Sequence, residues 1–171
     1  MTRHMLTGCF TALVTPFDAA GAVDFDALGK LVDWQVAEGI HGLVPVGSTG
    51  EAATLTLEQR VAVVRLCAER AAGRVPVMAG ASANDTRVAI ETSKAMAGTG
   101  ATQLLHASPA YSKPPQRGIL AHFRAVADAS PLPVVVYNVP GRTASNVEAA
   151  TTLALAEHQN IVGVKEASGN M

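Results

Sequence analysis

The chain has 171 residues, 49% of them hydrophobic and 16% charged, and its formal net charge is −1. This length and apolar content can bury the core of one domain, and the low charged share, against roughly 25% in an average domain, suggests buried subunit interfaces. The thirteen Lys and Arg residues are dispersed, which disfavours a protein that binds nucleic acid or an anionic membrane.

Six short apolar runs alternate along the chain with five longer segments of helical period. In chain order, the runs predict strands in CFTALVTPF, GLVPVG, VPVMAGA, TQLLHASP, PVVVYNVP and IVGVKEA. Apolar positions recur at three and four between them, which predicts core-facing helices in DFDALGKLVDWQVAEG, TLEQRVAVVRLCAERAAG, DTRVAIETSKAMAG, PQRGILAHFRAVADA and NVEAATTLALAEH. Capping-box spacing predicts helix starts at Thr56 with Gln59 and at Ser145 with Glu148. Helix ends are predicted at Gly39 and Gly73.

The strand runs are nearly continuous in apolar residues rather than alternating. This indicates strands covered on both faces, as in a parallel sheet flanked by helices, so the fold class is α/β. No Pro/Gly/Ser-rich linker or low-complexity segment divides the chain. Residues 1–171 are therefore predicted to form a single domain.

Two architectures fit this pattern, a doubly wound open sheet and a TIM (β/α)₈ barrel. A doubly wound nucleotide-binding protein concentrates its signal in one glycine-rich loop, and neither G-x-G-x-x-G nor G-x-x-x-x-G-K-[ST] is present. Polar groups instead follow nearly every strand, as in a barrel whose chemistry lies at the carboxyl ends of its strands. They are Thr15-Pro16, GSTGE, GASAN, Ser108-Pro109 with Tyr111, Tyr137-Asn138 and Lys165-Glu166.

Lys165 is the candidate centre of the chemistry. It ends an apolar strand, where partial desolvation can hold an amine in the neutral form that attacks carbonyl groups. The alternative is an ordinary lysine at a strand end with its ammonium group in water. Tyr137 ends the preceding strand, and its phenol is a candidate general acid or base, or otherwise an aromatic residue that fills the interior.

Further polar residues accompany this pair. In GSTGE, Ser48 and Thr49 stand between glycines that let backbone N–H groups approach a small carboxylate, although the same pattern also occurs in simple turns. Arg142 can bind a second carboxylate through its planar guanidinium, unless it is merely solvated. His106 lies within a strand and is interpreted as a core histidine.

The N-terminal sequence MTRHMLTGCF lacks a secretory signal, and no run reaches the roughly 18 apolar residues of a membrane span. The predicted location is therefore the cytoplasm. Cys9 and Cys67 have neither a metal-ligand spacing nor the density of a disulfide framework, so we expect reduced, partly buried thiols. The sequence predicts no metal site and no cofactor.

Three segments, GSTGE, YNVPGRT and GVKEASGN, occur in the order and spacing of the dihydrodipicolinate synthase family, which this sequence closely resembles. The similarity begins at TALVTPF and continues through SKPPQRGILAHF to the last residue. The family belongs to a broader group of pyruvate-dependent Schiff-base aldolases and lyases on a (β/α)₈ barrel, which includes N-acetylneuraminate lyase. Two departures from the family pattern are Ala110 in place of the first tyrosine of a pair, and Ser48 in place of a threonine.

The resemblance implies a role for each candidate residue. Lys165 would form an imine with pyruvate, whose enamine attacks L-aspartate 4-semialdehyde to give, after cyclisation, 4-hydroxy-tetrahydrodipicolinate in lysine and diaminopimelate biosynthesis. Tyr137 and Thr49 would relay protons, and Ser48 and Thr49 would hold the pyruvate carboxylate. Arg142 would bind the carboxylate of the semialdehyde. Tyr111 would enter the proton relay of a neighbouring subunit. The protein would therefore be a homo-oligomer, a dimer or a tetramer of dimers.

Two alternatives stay open from the sequence. The first is another pyruvate-dependent aldolase, such as N-acetylneuraminate lyase or a 2-keto-3-deoxy acid aldolase. The second is a non-catalytic fragment that acts in assembly, because a closed barrel has eight strands in typically about 250 residues and only about six are present here. We expect on this count that the domain is truncated at its C-terminus.

Overall fold

The computed structural model describes residues 6–170. Residues 1–5 and Met171 lie outside this range. Residues 1–5 belong to the N-terminal segment from which the cytoplasmic location is predicted. Strands and helices alternate through this range as predicted. They are β1 (Phe10–Ala12), α1 (Phe25–Ala37), β2 (Gly42–Val44), α2 (Leu57–Ala71), β3 (Met78–Gly80), α3 (Thr86–Ala97), β4 (Gln103–Ala107), α4 (Gln116–Ala129), β5 (Val134–Asn138), α5 (Pro140–Thr143), α6 (Ala149–Ala156) and β6 (Ile161–Glu166).

All six predicted strands and all five predicted helices are present. The sequence did not predict a 3₁₀ turn at Ala52–Thr54 or the four-residue helix α5. The chain divides into two compact units. The first comprises Thr7–Gly80 and Ala95–Gln103, and the second comprises Leu6, Ala81–Lys94 and the chain from Leu104 onward.

In the first unit, β1 and β2 pair in parallel, with Phe10 opposite Gly42. A Cβ atom on Gly42 would overlap the Phe10 ring, so the glycine leaves room for the ring in its present position. Helices α1 and α2 pack against each other. Their buried apolar side chains include Leu28, Val32, Val63, Val64 and Cys67.

In the second unit, β4, β5 and β6 form a parallel sheet. All five residues of β5 are buried, as expected of a parallel strand covered on both faces. Helices α4 and α6 pack together, and α6 also packs on β6. The core of this unit includes Ile119, Phe123, Val126, Val134, Val136 and Leu155.

The helix ends confirm most of the predicted signals. Thr56 and Gln59 form the predicted capping box at the start of α2. The C-cap residues of α1 and α2 are Glu38 and Ala72, and the predicted glycines, Gly39 and Gly73, follow directly with φ of 83° and 71°. Both glycines therefore occupy the left-handed conformation that ends a helix.

The capping box predicted from Ser145 and Glu148 is wrong. Helix α6 begins after Glu148, which makes no side-chain cap, and the Glu148 N–H donates instead to Gln116 Oε1 at 3.1 Å. The same oxygen accepts from the Thr151 hydroxyl at 2.6 Å, while Gln116 Nε2 donates to the Asn146 carbonyl at 2.7 Å. A side chain from α4 thus replaces the local cap, and sequence spacing alone does not reveal such a tertiary contact.

His106 is a buried core residue, as interpreted from the sequence. The Ser93 hydroxyl donates its single proton to the Ala89 carbonyl at 2.7 Å. Ser93 Oγ can therefore only accept from His106 Nε2, 3.1 Å away, so the proton of the ring is assigned to Nε2. His106 Nδ1 has no hydrogen-bond partner within residues 6–170. Burial, with a smaller effect of nearby His122, lowers the pKa of His106 to about 3.

This histidine predicts a pH dependence of stability. The folded protein keeps His106 neutral down to about pH 3, whereas the unfolded chain binds a proton near pH 6.5. Between these values the unfolded state binds more protons, so the free energy of unfolding should fall by up to about 1.4 kcal/mol for each pH unit below 6.5. Urea denaturation of the wild type and of His106→Gln between about pH 4 and pH 7 measures this slope. Equal slopes in the two proteins would contradict the expectation.

Candidate active site

The carboxyl ends of β5 and β6 bring two predicted site residues together. Tyr137 lies directly opposite Lys165 in the parallel register. The Lys165 Nζ atom lies over the Tyr137 ring, 4.4 Å from its centroid. Because side chains alternate along a strand, this pairing places both groups on the same face of the sheet. Lys165 is thus not an isolated surface lysine.

Two effects lower the pKa of Lys165 below that of an ordinary lysine. Partial burial of the amine is the larger, and the positive charge of Arg142 adds to it. The face of the Tyr137 ring acts in the opposite direction because it attracts a cation. The residue as a whole remains exposed, so a reactant can reach the amine. The neutral, nucleophilic form is therefore available at lower pH than for an isolated lysine.

Arg142 is held near these strands by α5, which begins two residues after β5 ends. Pro140 occupies the first turn of this helix, where its missing N–H costs nothing. The buried Thr143 hydroxyl donates to the Ser145 carbonyl at 2.8 Å and also lies 3.2 Å from the Val139 carbonyl, which fixes the end of the turn. The Arg142 side chain is exposed and is not consumed by a salt bridge in the described part of the chain.

Asn138 and Glu166 form a second pair at the same strand ends. The sequence shows both as polar residues there but predicts no role for them. Asn138 lies opposite Glu166 in the register, and its Nδ2 atom is 2.9 and 3.1 Å from the two carboxylate oxygens of Glu166. Asn138 is almost fully buried, at 1% exposure. The register of two parallel strands would have revealed this pair, but the sequence alone does not fix that register.

Ser48 and Thr49 belong to the first unit, in the turn that follows β2. Both are exposed. Gly50, next to them, is buried, and its carbonyl accepts the Thr15 hydroxyl at 2.7 Å. A Cβ atom on Gly50 would approach backbone atoms of Val46 and Leu13 at 3.0 to 3.1 Å, so the glycine lets this turn lie against the strands. The carboxylate-binding role of the two hydroxyl residues stays a prediction.

Tyr111 projects from the loop after β4. Its side chain is 91% exposed, and its φ of 68° is in the left-handed region. The preceding residue, Ala110, is anchored by a hydrogen bond from its N–H to Asn84 Oδ1 at 2.8 Å. The role of Tyr111 in a neighbouring subunit stays a prediction.

Three further features bear on the remaining predictions. Both cysteines are free, but only Cys67 is buried as expected, whereas Cys9 is exposed. No helix among residues 6–170 is long and apolar enough to cross a membrane. Within the same range, His, Cys, Asp and Glu form no group of three or more that could hold a metal ion.

Parallel strands that alternate with helices, and polar groups at their carboxyl ends, define an α/β protein of the TIM-barrel class. Comparison with known proteins gives the family. The model of the dihydrodipicolinate synthetase family matches residues 5–171. The 4-hydroxy-tetrahydrodipicolinate synthase of Pseudoalteromonas atlantica is 48% identical over 167 residues, which are 98% of this chain and 57% of the relative.

Solved structures agree with this result. The chloride-inhibited dihydrodipicolinate synthase from Acinetobacter baumannii, complexed with pyruvate, matches with a TM-score of 0.95 at 43% identity, over 97% of this chain and 57% of that one. The enzyme from Cyanidioschyzon merolae with lysine bound matches with a TM-score of 0.92 at 45% identity, over 95% and 56%. The chain belongs to the dihydrodipicolinate synthetase family, and it spans 57% of the length of the curated relative described above. The predicted fold class, with about six strands of the barrel present, is confirmed.

Proposed function

We propose that this chain carries the reactive lysine of a 4-hydroxy-tetrahydrodipicolinate synthase, which condenses pyruvate with L-aspartate 4-semialdehyde. The observation that carries the proposal is the Lys165 amine, which lies over Tyr137 with a lowered pKa. Family membership supports it, since the Acinetobacter baumannii relative was crystallised with pyruvate. The reaction uses the amine and proton transfers alone.

The proposed chemistry begins with attack of the neutral Lys165 amine on the keto carbon of pyruvate. Loss of water from the carbinolamine gives an imine, and loss of a methyl proton gives an enamine. The enamine carbon forms the new C–C bond with the aldehyde carbon of the second substrate. The amino group of that substrate then attacks the imine carbon, which closes the ring and releases Lys165.

The other predicted residues take supporting roles in this proposal. The Tyr137 phenol and the Thr49 hydroxyl move protons to and from the carbinolamine. Ser48 and Thr49 bind the pyruvate carboxylate, and Arg142 binds the carboxylate of the semialdehyde. Tyr111 completes the relay of a second subunit in a homo-oligomer, a dimer or a tetramer of dimers, and its 91% exposure leaves it accessible for that contact. The cytoplasmic location stays a prediction from the sequence.

Reductive trapping tests the proposal. Pyruvate and borohydride should add a pyruvyl-derived mass to Lys165 in the complete native protein, as located by peptide mass spectrometry. The other lysines, Lys30, Lys94 and Lys113, serve as internal controls. Labelling of one of these instead, or no labelling, would refute the role of Lys165. A subsequent screen of aldehyde acceptors separates the synthase from the other pyruvate-dependent aldolases.

Arg142→Ala provides a prediction for the second substrate. The variant should still trap pyruvate, whereas kcat/KM for the semialdehyde should fall by about 10- to 10²-fold, because a charge-assisted hydrogen-bonded contact of about 1.5–3 kcal/mol is lost. Loss of the Arg142 charge should also move the pH profile of trapping upward, since that charge contributes to the lowered pKa of Lys165. Equal loss of trapping and condensation at saturating pH would show that Arg142 does not act on the second substrate.

A further inference from the structure

Asn138, the last residue of β5, connects three segments at the edge of the candidate site. Its Nδ2 atom contacts both carboxylate oxygens of Glu166 and lies 2.8 Å from Asn146 Oδ1. Its Oδ1 atom accepts the N–H of Val147 at 2.9 Å, and its backbone carbonyl accepts the N–H of Ala167 at 2.9 Å. One neutral side chain therefore fixes both the end of β6 and the loop before α6.

Strand alternation places Glu166 on the face of β6 opposite Lys165, and these contacts hold its carboxylate there. Lys165 faces Tyr137 across the strand pair, and the next residue, Glu166, faces Asn138. Glu166 is the exposed last residue of β6, and the hydrogen bonds from Asn138 keep its flexible side chain away from the amine of its neighbour. Among the charged side chains of residues 6–170, the one that affects the pKa of Lys165 is Arg142, which agrees with this separation.

The separation matters because the carboxylate is charged at neutral pH. The hydrogen bond from Asn138, followed by those from Ser168, lowers the pKa of Glu166. An ionised carboxylate that turned toward Lys165 would stabilise the ammonium form and oppose nucleophilic attack. Helix α6, which packs on β6, carries no titratable side chain of its own, while β5 contributes Tyr137 and α5 contributes Arg142.

We propose that Asn138 is a positioning residue, which holds Glu166 on the face of β6 opposite Lys165 and so keeps the amine unpaired over Tyr137. The effect on imine formation with pyruvate rests on the proposed function, but the position of the carboxylate does not. A neutral amide suits this role because it donates to the carboxylate without adding a charge near the amine.

The reactivity of Lys165 tests the proposal without any substrate. Competitive labelling with acetic anhydride across a pH series, read by peptide mass spectrometry, gives the pH midpoint of the Lys165 amine, with exposed Lys30 as reference. Asn138→Asp replaces the donor with a second carboxylate and releases Glu166. We expect the Lys165 midpoint to rise by about one unit, which lowers its reaction rate at neutral pH by about tenfold.

Two matched variants complete the experiment. The double variant Asn138→Asp with Glu166→Gln exchanges donor and acceptor at constant charge, and it should restore the wild-type midpoint. Glu166→Gln alone should shift the midpoint by no more than a few tenths of a unit, because an exposed, separated charge is screened. This second variant leaves Asn138 intact and remains informative if Asn138→Asp does not fold.

Three results would overturn the proposal: an unchanged midpoint in Asn138→Asp, no restoration in the double variant, or a large fall of the midpoint in Glu166→Gln alone. Pyruvate trapping, measured separately, reports on the proposed function. A wild type that fails to trap pyruvate but shows the expected midpoints would refute that function and leave the positioning role supported.

Discussion

Replacement of Lys165 by alanine is expected to abolish pyruvate trapping and to lower the condensation rate by about 10⁴- to 10⁶-fold, on the scale of nucleophile removal in other enzymes. Alanine removes the amine that forms the imine, and no other lysine is paired with a phenol in the described residues. Steady-state condensation kinetics and borohydride trapping measure the two losses. Stability should change little, because Lys165 is exposed at the end of its strand.

The matched control is Lys30→Ala, which removes an exposed lysine from α1 and should retain wild-type activity. Residual condensation in Lys165→Ala within tenfold of the wild type would show that another group carries the reaction. Denaturant unfolding curves of both variants test whether any loss of activity comes from loss of folded protein.

The sequence predicts the elements of this fold well because each one carries its own periodic signal. Strands buried on both faces appear as apolar runs, and helices appear as repeats at three and four residues. It also predicts Lys165 and Tyr137, since both follow apolar runs directly. The short helix α5 has only four residues, too few for a periodic pattern, and it was not predicted.

Contacts that depend on the register of distant segments were not predictable in the same way. The Asn138–Glu166 pair joins residues 28 positions apart, and Gln116 caps a helix 32 positions away. Ser145 and Glu148 show the converse error, because a correct local spacing is overridden by that tertiary cap. Sequence patterns thus locate the groups proposed to react, whereas the neutral side chains beside them become visible only in the structure.

The turn that carries Ser48 and Thr49 has a comparable support in Gly80. Its N–H donates to the Pro45 carbonyl at 3.1 Å, within the first unit. A methyl group at Gly80 would overlap the Val46 carbonyl and approach the Gly47 nitrogen at 3.0 Å. Both obstacles are backbone atoms, so no side-chain rotation can relieve the overlap. Val46 already has a φ of 49°, which leaves the turn little freedom to adjust.

Gly80→Ala is therefore expected to lower the free energy of unfolding by about 2–3 kcal/mol, the upper part of the usual range for overpacking. It should also raise KM for pyruvate, because displacement of the turn moves the two hydroxyl residues proposed to bind its carboxylate. Denaturant unfolding and initial-rate kinetics measure these two effects. Gly98→Ala is the control, since a Cβ atom there meets nothing within 4 Å. If Gly80→Ala matched Gly98→Ala in stability, the close approach would not constrain the turn; if stability fell while KM stayed constant, Ser48 and Thr49 would not hold the substrate.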